Sequence, residues 1–214
     1  MTSLESLGLG FASLSGTIPS ELGNLQQLET SELRDNDLSG TLPSDLSRLH
    51  KLNTLDVLGN RQMNGTVPTN IWKLSTLEFL YLALTGVSGT IPMDIADTLP
   101  NLSWFQIDES LLTGTIPPSL ADLRHLKTLI LKGTHLTGPI PNSLWTADAL
   151  ELFSLGVMVH GHIPSNDDTE LTVLPNLRRL HIESPTVTGR IPQTLCGIET
   201  LLFLCSKTLC GCEQ

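Results

Sequence analysis

The six-residue pattern Leu-x-Gly-x-Ile-Pro returns at a nearly constant interval along almost the whole 214-residue chain. It reads LSGTIP at Leu14–Pro19, LSGTLP at Leu38–Pro43, MNGTVP at Met63–Pro68 and VSGTIP at Val87–Pro92. It continues as LTGTIP at Leu112–Pro117, LTGPIP at Leu136–Pro141, HGHIP at His160–Pro164 and VTGRIP at Val187–Pro192. Successive prolines stand 23 to 28 residues apart. A fixed period of that size describes coils stacked into a solenoid, in which each coil buries its apolar face only against its neighbours.

One coil can be read from Leu120 to Pro141. Leu120, Leu123 and Leu126 share one side of a short helical or 3-10 turn. Leu129 and Leu131 then alternate with the period of a strand. The same strand phase recurs at Leu7/Leu9, Ser31/Leu33, Leu55/Val57, Leu80/Leu82, Phe105/Ile107, Phe153/Leu155 and Leu180/Ile182. The expected fold is therefore an α/β solenoid, with a parallel concave sheet of about eight strands and short helical or 3-10 turns on the convex side. Proline at the start of each turn sets φ where a missing N–H costs little. The repeated Gly16, Gly40, Gly65, Gly89, Gly114, Gly138 and Gly189 point to positive φ or close backbone approach.

The repeat makes residues 1–214 one domain: a partial first repeat over 1–19, seven repeats over 20–192, and a Cys-containing closing repeat or cap over 193–214. The first strand falls so close to Met1 that the chain reads as beginning inside a repeat. Six residues from Ser165 to Glu170 read as an inserted surface loop in the seventh coil. All four cysteines, Cys196, Cys205, Cys210 and Cys212, fall in the last segment. An even count there points to two disulfides with three open connectivities; free thiols are the second reading.

The net charge of −10 argues against a nucleic-acid partner, which needs a Lys/Arg surface. It also disfavours anionic membranes, and no stretch has the length of an apolar span, so no membrane contact is expected of this segment. No phosphate loop, kinase signature or Gly-x-Ser-x-Gly occurs. His160-x-His162 lacks a third metal ligand in phase. The chain is read as non-enzymatic, with no cofactor and no metal.

Residues between the inward leucines point outward and line up from coil to coil. One row reads Ser6, Thr30, Thr54, Phe79, Trp104, Thr128, Leu152 and Arg179. The next reads Gly8, Glu32, Asp56, Tyr81, Gln106, Ile130, Ser154 and His181. The third reads Gly10, Arg34, Leu58, Ala83, Asp108, Lys132, Gly156 and Glu183. Phe79, Tyr81 and Trp104 thus form one exposed aromatic group in mid-array, extended by Ile130, Leu84 and Leu111. Aromatic anchors beside charged edges are the usual make-up of a protein-binding hot spot. The candidate ligand-binding residues are Phe79, Tyr81, Trp104, Gln106, Asp108, Ile130 and Lys132, with Asp108 and Lys132 expected as a weak surface ion pair. Glu32, Asp35, Asp37 and Asp56 give the face an acidic edge.

The pattern L-x-x-L-x-L-x-x-N-x-L-x-G-x-I-P resembles the plant-type extracellular leucine-rich repeats. The resemblance implies an ectodomain of a receptor-like kinase or receptor-like protein, or a secreted inhibitor of a cell-wall hydrolase. It also implies a cell-surface or extracellular setting, a protein or peptide ligand, and a closing cap for the clustered cysteines. The sequons at Asn64 and Asn101 agree with secretion. The family's buried Asn matches Asn36 and Asn60, while Thr85, Ser110, Thr134, Met158 and Pro185 replace it in later coils. A weaker ladder toward the C-terminus follows. Some family receptors capture a peptide carboxylate with an Arg-x-Arg pair; the concave rows hold none, since Arg178 and Arg179 are contiguous. A self-associating extracellular array is the third reading, after receptor and inhibitor.

Overall fold

The computed structural model describes residues 3–156, 158–164, 174–189 and, as backbone, 200–203. Nine parallel strands form one sheet, paired in chain order with no crossover. They are β1 (Ser6–Gly8), β2 (Thr30–Glu32), β3 (Thr54–Asp56), β4 (Phe79–Tyr81), β5 (Trp104–Gln106), β6 (Thr128–Ile130), β7 (Leu152–Leu155), β8 (Arg179–Ile182) and β9 (Thr200–Phe203). The first eight are the strands legible in the leucine phase, and β9 continues the stack. Register keeps the rows intact: Thr54 pairs with Phe79, Phe79 with Trp104 and Trp104 with Thr128.

The turns follow from the Ile-Pro junction. Pro19, Pro43, Pro117 and Pro141 precede 3-10 turns at φ between −70° and −59°. Only Ile95–Thr98 winds into α-helix among the described turns. A second set of short parallel strands carries the Gly-rich motif, with Ser15–Thr17 pairing Asp37–Gly40, and Ser88–Thr90 pairing Leu111–Gly114. The core is one continuous leucine column, with Leu28, Leu52, Leu55, Leu80, Leu102, Leu129 and Leu180 all sealed. Trp72 and Trp145 close it from the turns, meeting Phe105 and Phe153 edge to face at 6.1 and 6.0 Å.

Polar groups inside the column tie the coils together. Asn36 accepts from Ala12 and Leu14 N–H at 3.0 and 2.9 Å and donates to the Leu9 and Leu33 carbonyls at 2.8 and 2.9 Å. Asn60 repeats this one coil on, accepting from Leu38 N–H at 3.1 Å and donating to Leu33 and Val57 carbonyls. Thr85, Ser110 and Thr134 instead donate only three residues back, to Leu82, Ile107 and Leu131 of their own coils. In the eighth coil Ser184, not its neighbour Pro185, is buried and donates to the Val159 carbonyl of the preceding coil at 2.6 Å. The four cysteines, the 165–170 insertion and the cap proposed over 193–214, apart from the β9 backbone, lie outside the described residues.

Candidate functional site

The concave face places Phe79, Tyr81 and Trp104 together, as their row positions require. Tyr81 and Trp104 rings lie 5.9 Å apart at a 43° tilt, and all three side chains are half-buried. Strand geometry sets this spacing, because paired residues of neighbouring strands face the same side. Trp104 Nε1 donates to Gln106 Oε1 at 3.2 Å, and Gln106 Nε2 donates to Asp108 Oδ1 at 2.9 Å. The indole is thereby fixed through Gln106 at the end of its own strand and Asp108 in the turn that follows.

Two grooves meet at Gln106. Toward the N-terminal coils, a space of about 460 Å³ is lined by Glu32, Arg34, Asp56, Tyr81 and Trp104 among others. Toward the C-terminal coils, a more apolar space of about 430 Å³ runs past Ile130, Leu152 and Ser154 to Arg179 and His181. Gln106 lines both. A more voluminous groove, about 750 Å³, lies elsewhere, around Glu78, Asn101, Lys127 and Glu151. It is a polar trough in which Lys127 and Arg178 both lean on Glu151 at 3.6 and 3.5 Å, with no Phe, Tyr or Trp in its lining.

The electrostatics depart from the expected rows in two ways. Asp56 is not an open acidic edge: it is 3% exposed, accepts from Leu58 N–H at 3.0 Å and pairs with Arg34 Nε at 3.4 Å. Burial pushes its carboxyl above the ordinary range, against the pull of the Leu58 N–H and Arg34. Burial likewise raises the Tyr81 phenol, helped by the Asp56 charge. Asp108 and Lys132 do not form the expected contact pair. Lys132 Nζ reaches Glu183 Oε1 at 3.8 Å, which also lies 3.1 Å from His181 Nε2. Asp108 turns to Gln106, and burial again raises its carboxyl despite that hydrogen bond.

Other expectations shift with the coil geometry. Ile130 stays on the concave face, half-buried, but Leu111 begins the Gly-motif strand Leu111–Gly114 and leaves the aromatic group. Asp37 likewise belongs to that second set of strands. Thr128 and Ser154, outward in phase, are both buried. Leu152, Arg179 and His181 line the C-terminal groove and Glu32 and Arg34 the N-terminal one, though none is among the candidate ligand-binding residues; their places in the outward rows are the available signal. Among the described residues no cluster of His, Cys, Asp or Glu could hold a metal ion, and no helix is long and apolar enough to cross a membrane.

A regular stack of parallel strands with 3-10 turns and an inter-coil Asn ladder defines the repeat-solenoid class. The leucine-rich-repeat family model matches residues 3–25 and 125–147. Among solved structures, PEPR1–AtPEP1 is similar over 94% of this chain and 28% of its own, with 30% identity and a TM-score of 0.79. The plant peptide hormone receptor RGFR1 in complex with RGF2 is similar over 89% and 34%, at 28% identity and a TM-score of 0.74. The Arabidopsis receptor kinase HAESA, in complex with the peptide hormone IDA and the co-receptor SERK1, is similar over 92% and 32%, at 28% identity and a TM-score of 0.74. The chain spans about a third or less of the length of these structures. No curated protein sequence matches it significantly. The chain is a leucine-rich-repeat protein, of the repeat type carried by plant receptor-kinase ectodomains.

Proposed function

We propose that this chain is a non-catalytic recognition module, part of a cell-surface receptor or a secreted protein, that binds an extended peptide or protein segment across its concave sheet. The carrying observation is the Tyr81–Trp104 pair, half-exposed and lining the N-terminal groove, with Trp104 held by Gln106, the residue that lines both grooves. An extended ligand would thread the grooves and rest on the aromatic ridge. A peptide is favoured as ligand because two of the similar ectodomains are complexed with RGF2 and with the peptide hormone IDA. Phe79, Tyr81 and Trp104 serve as anchors; Gln106, Asp108, Ile130 and Lys132 frame them.

The test uses peptides selected on the wild-type chain from a random-peptide phage library and resynthesised. Trp104→Ala with Tyr81→Ala should weaken them by about a hundredfold, as loss of two aromatic anchors does, with circular dichroism unchanged. Equal affinity would remove the site.

The extracellular setting further implies N-glycosylation, and the two sequons differ. Asn101 Nδ2 is engaged with the Ser75 carbonyl at 2.8 Å. Asn64 is exposed, with no side-chain hydrogen bond among the described residues, and is the better acceptor. Expression in a secretory host should give a glycosidase-sensitive mass that Asn64→Gln removes.

A further inference from the structure

We infer that the N-terminal of the two concave grooves is a subsite for a cationic side chain of the ligand, arginine before lysine, lying on the Tyr81 and Trp104 rings within reach of the Glu32 charge. The inference rests on the concave-face reading above and names the residue type that face selects.

Strand register puts two carboxylates in line with an aromatic side chain. Glu32 of β2 pairs with Asp56 of β3, and Asp56 pairs with Tyr81 of β4. Carboxylates directly opposite each other repel. Arg34 is the one cation in the groove's lining, and it serves both. Its Nε stands 3.4 Å from Asp56 Oδ2, while its Nη2 stands 3.8 Å from Glu32 Oε1, beyond hydrogen-bond length. Asp56 is nearly sealed, whereas the Glu32 side chain is 41% exposed, so Glu32 is the carboxylate that a ligand in the groove can meet.

The rings supply the other half of the selection. Phe79, Tyr81 and Trp104 all line this groove and stay part-exposed, whereas Trp72 and Trp145 are buried. The Tyr81 and Trp104 centroids are 5.9 Å apart at 43°, so the two rings are not stacked flat on each other. An indole or phenol face attracts a cation through its quadrupole, and a guanidinium adds planar stacking. Negative potential already reaches this ring pair: burial raises the Tyr81 phenol, and the Asp56 and Glu32 charges raise it further against Arg34. The wider field has the same sign, since residues 1–110 hold 13 Asp and Glu against 5 Lys and Arg. An anionic side chain would meet Glu32 as a like charge, and a neutral one would gain nothing from that field.

Peptides from the phage library are the probe. Wild type should enrich arginine or lysine at one position. That residue is then replaced by its uncharged analogue, citrulline for arginine or norleucine for lysine. The exchange should weaken binding about tenfold on wild type and about twofold on Glu32→Gln, and added salt should narrow the gap on wild type. The Trp104 indole N–H resonance, identified by its loss in Trp104→Phe, should move when the basic peptide binds. Enrichment of acidic residues, absence of any preference, an equal loss on wild type and Glu32→Gln, or an unmoved indole signal would overturn the subsite. If Trp104→Ala with Tyr81→Ala still abolishes binding in that case, the subsite fails and the concave-face reading stands. If the library yields no binder, or binders indifferent to that double substitution, both fall.

Discussion

Gln106 donates its amide to Asp108 across 2.9 Å while accepting the Trp104 indole N–H at 3.2 Å, so one side chain sets both the ridge and the groove wall beside it. Replacing Gln106 by Leu keeps the volume and removes both bonds. The indole then loses its only side-chain hydrogen bond among the described residues, and holding it in place must be done by binding itself. Selected peptides should bind Gln106→Leu about five- to tenfold more weakly, equivalent to roughly 1 kcal/mol of lost preorganisation. Stability should change by under about 1 kcal/mol, because Trp104 and Asp108 can regain water. Titration calorimetry beside thermal melts separates the two effects; equal loss in both would make Gln106 a packing residue.

Asp56 predicts a pH dependence of stability. Burial raises its carboxyl above the ordinary 3.8, outweighing the Leu58 N–H and Arg34. The native state therefore holds this proton at pH values where the unfolded chain has released it. Stability from this group falls as pH rises from 3.8 to the raised native value, and is constant above it. Asp108 adds to the slope with the same sign and the same leading cause. Asp56→Asn retains an oxygen for the Leu58 N–H and carries no charge to desolvate. It should be at least as stable as wild type at neutral pH and show a shallower slope in the mildly acidic range. Urea melts across that range decide; an unchanged slope, or a variant weakened at neutral pH, would assign the Arg34 pair more weight than burial.

The Asn ladder ends midway, and the energetics should follow. Asn36→Ala strands two N–H groups and the Leu9 carbonyl of the preceding coil, while the Leu33 carbonyl keeps Asn60, at about 3 kcal/mol. Thr134→Val removes one bond within a coil, to the Leu131 carbonyl, at about 1 kcal/mol. Amide exchange should run the same way. At Leu38, whose N–H is held by the buried Asn60 side chain, it should be slower in wild type than in Asn60→Ala, in which that N–H loses its partner. Comparable costs for the two substitutions would show that coil packing, not the ladder, sets local stability.

Most of the fold was legible because a repeat reports the same contact many times. Leu55, Leu80, Phe105 and Leu129 occupy equivalent positions, so each confirms the facing of the others. The aromatic group was legible for the same reason. What the rows could not show is which outward side chain lies under a neighbour. Arg34 is long enough to lean over Asp56, and Ser154 is too short to emerge between Ile130 and His181. Facing follows from local phase, but cover depends on rotamers of adjacent coils. Irregular coils mislead differently: Pro185 falls at the ladder position by count, while the backbone presents Ser184.

Gly40 and Gly16 separate two reasons for the repeated glycine. Gly16 has φ +89° and nothing within 4 Å of the place a Cβ would take. Gly40 has φ +73°, and a Cβ there would lie 2.9 Å from Thr17 Cγ2 in the preceding coil. The left-handed conformation alone makes alanine costly by about 1–2 kcal/mol. Gly16→Ala should show that cost and no more. Gly40→Ala should lose further stability, by under about 1 kcal/mol beyond Gly16→Ala, because the exposed Thr17 methyl must move aside. Thr17→Ser deletes that methyl and should return the excess in the double variant Thr17→Ser/Gly40→Ala, leaving the backbone part untouched. Urea unfolding of the four variants beside wild type gives the comparison. If Thr17→Ser restores nothing, the threonine rests against Gly40 without constraining it, and backbone conformation is the whole reason for the glycine.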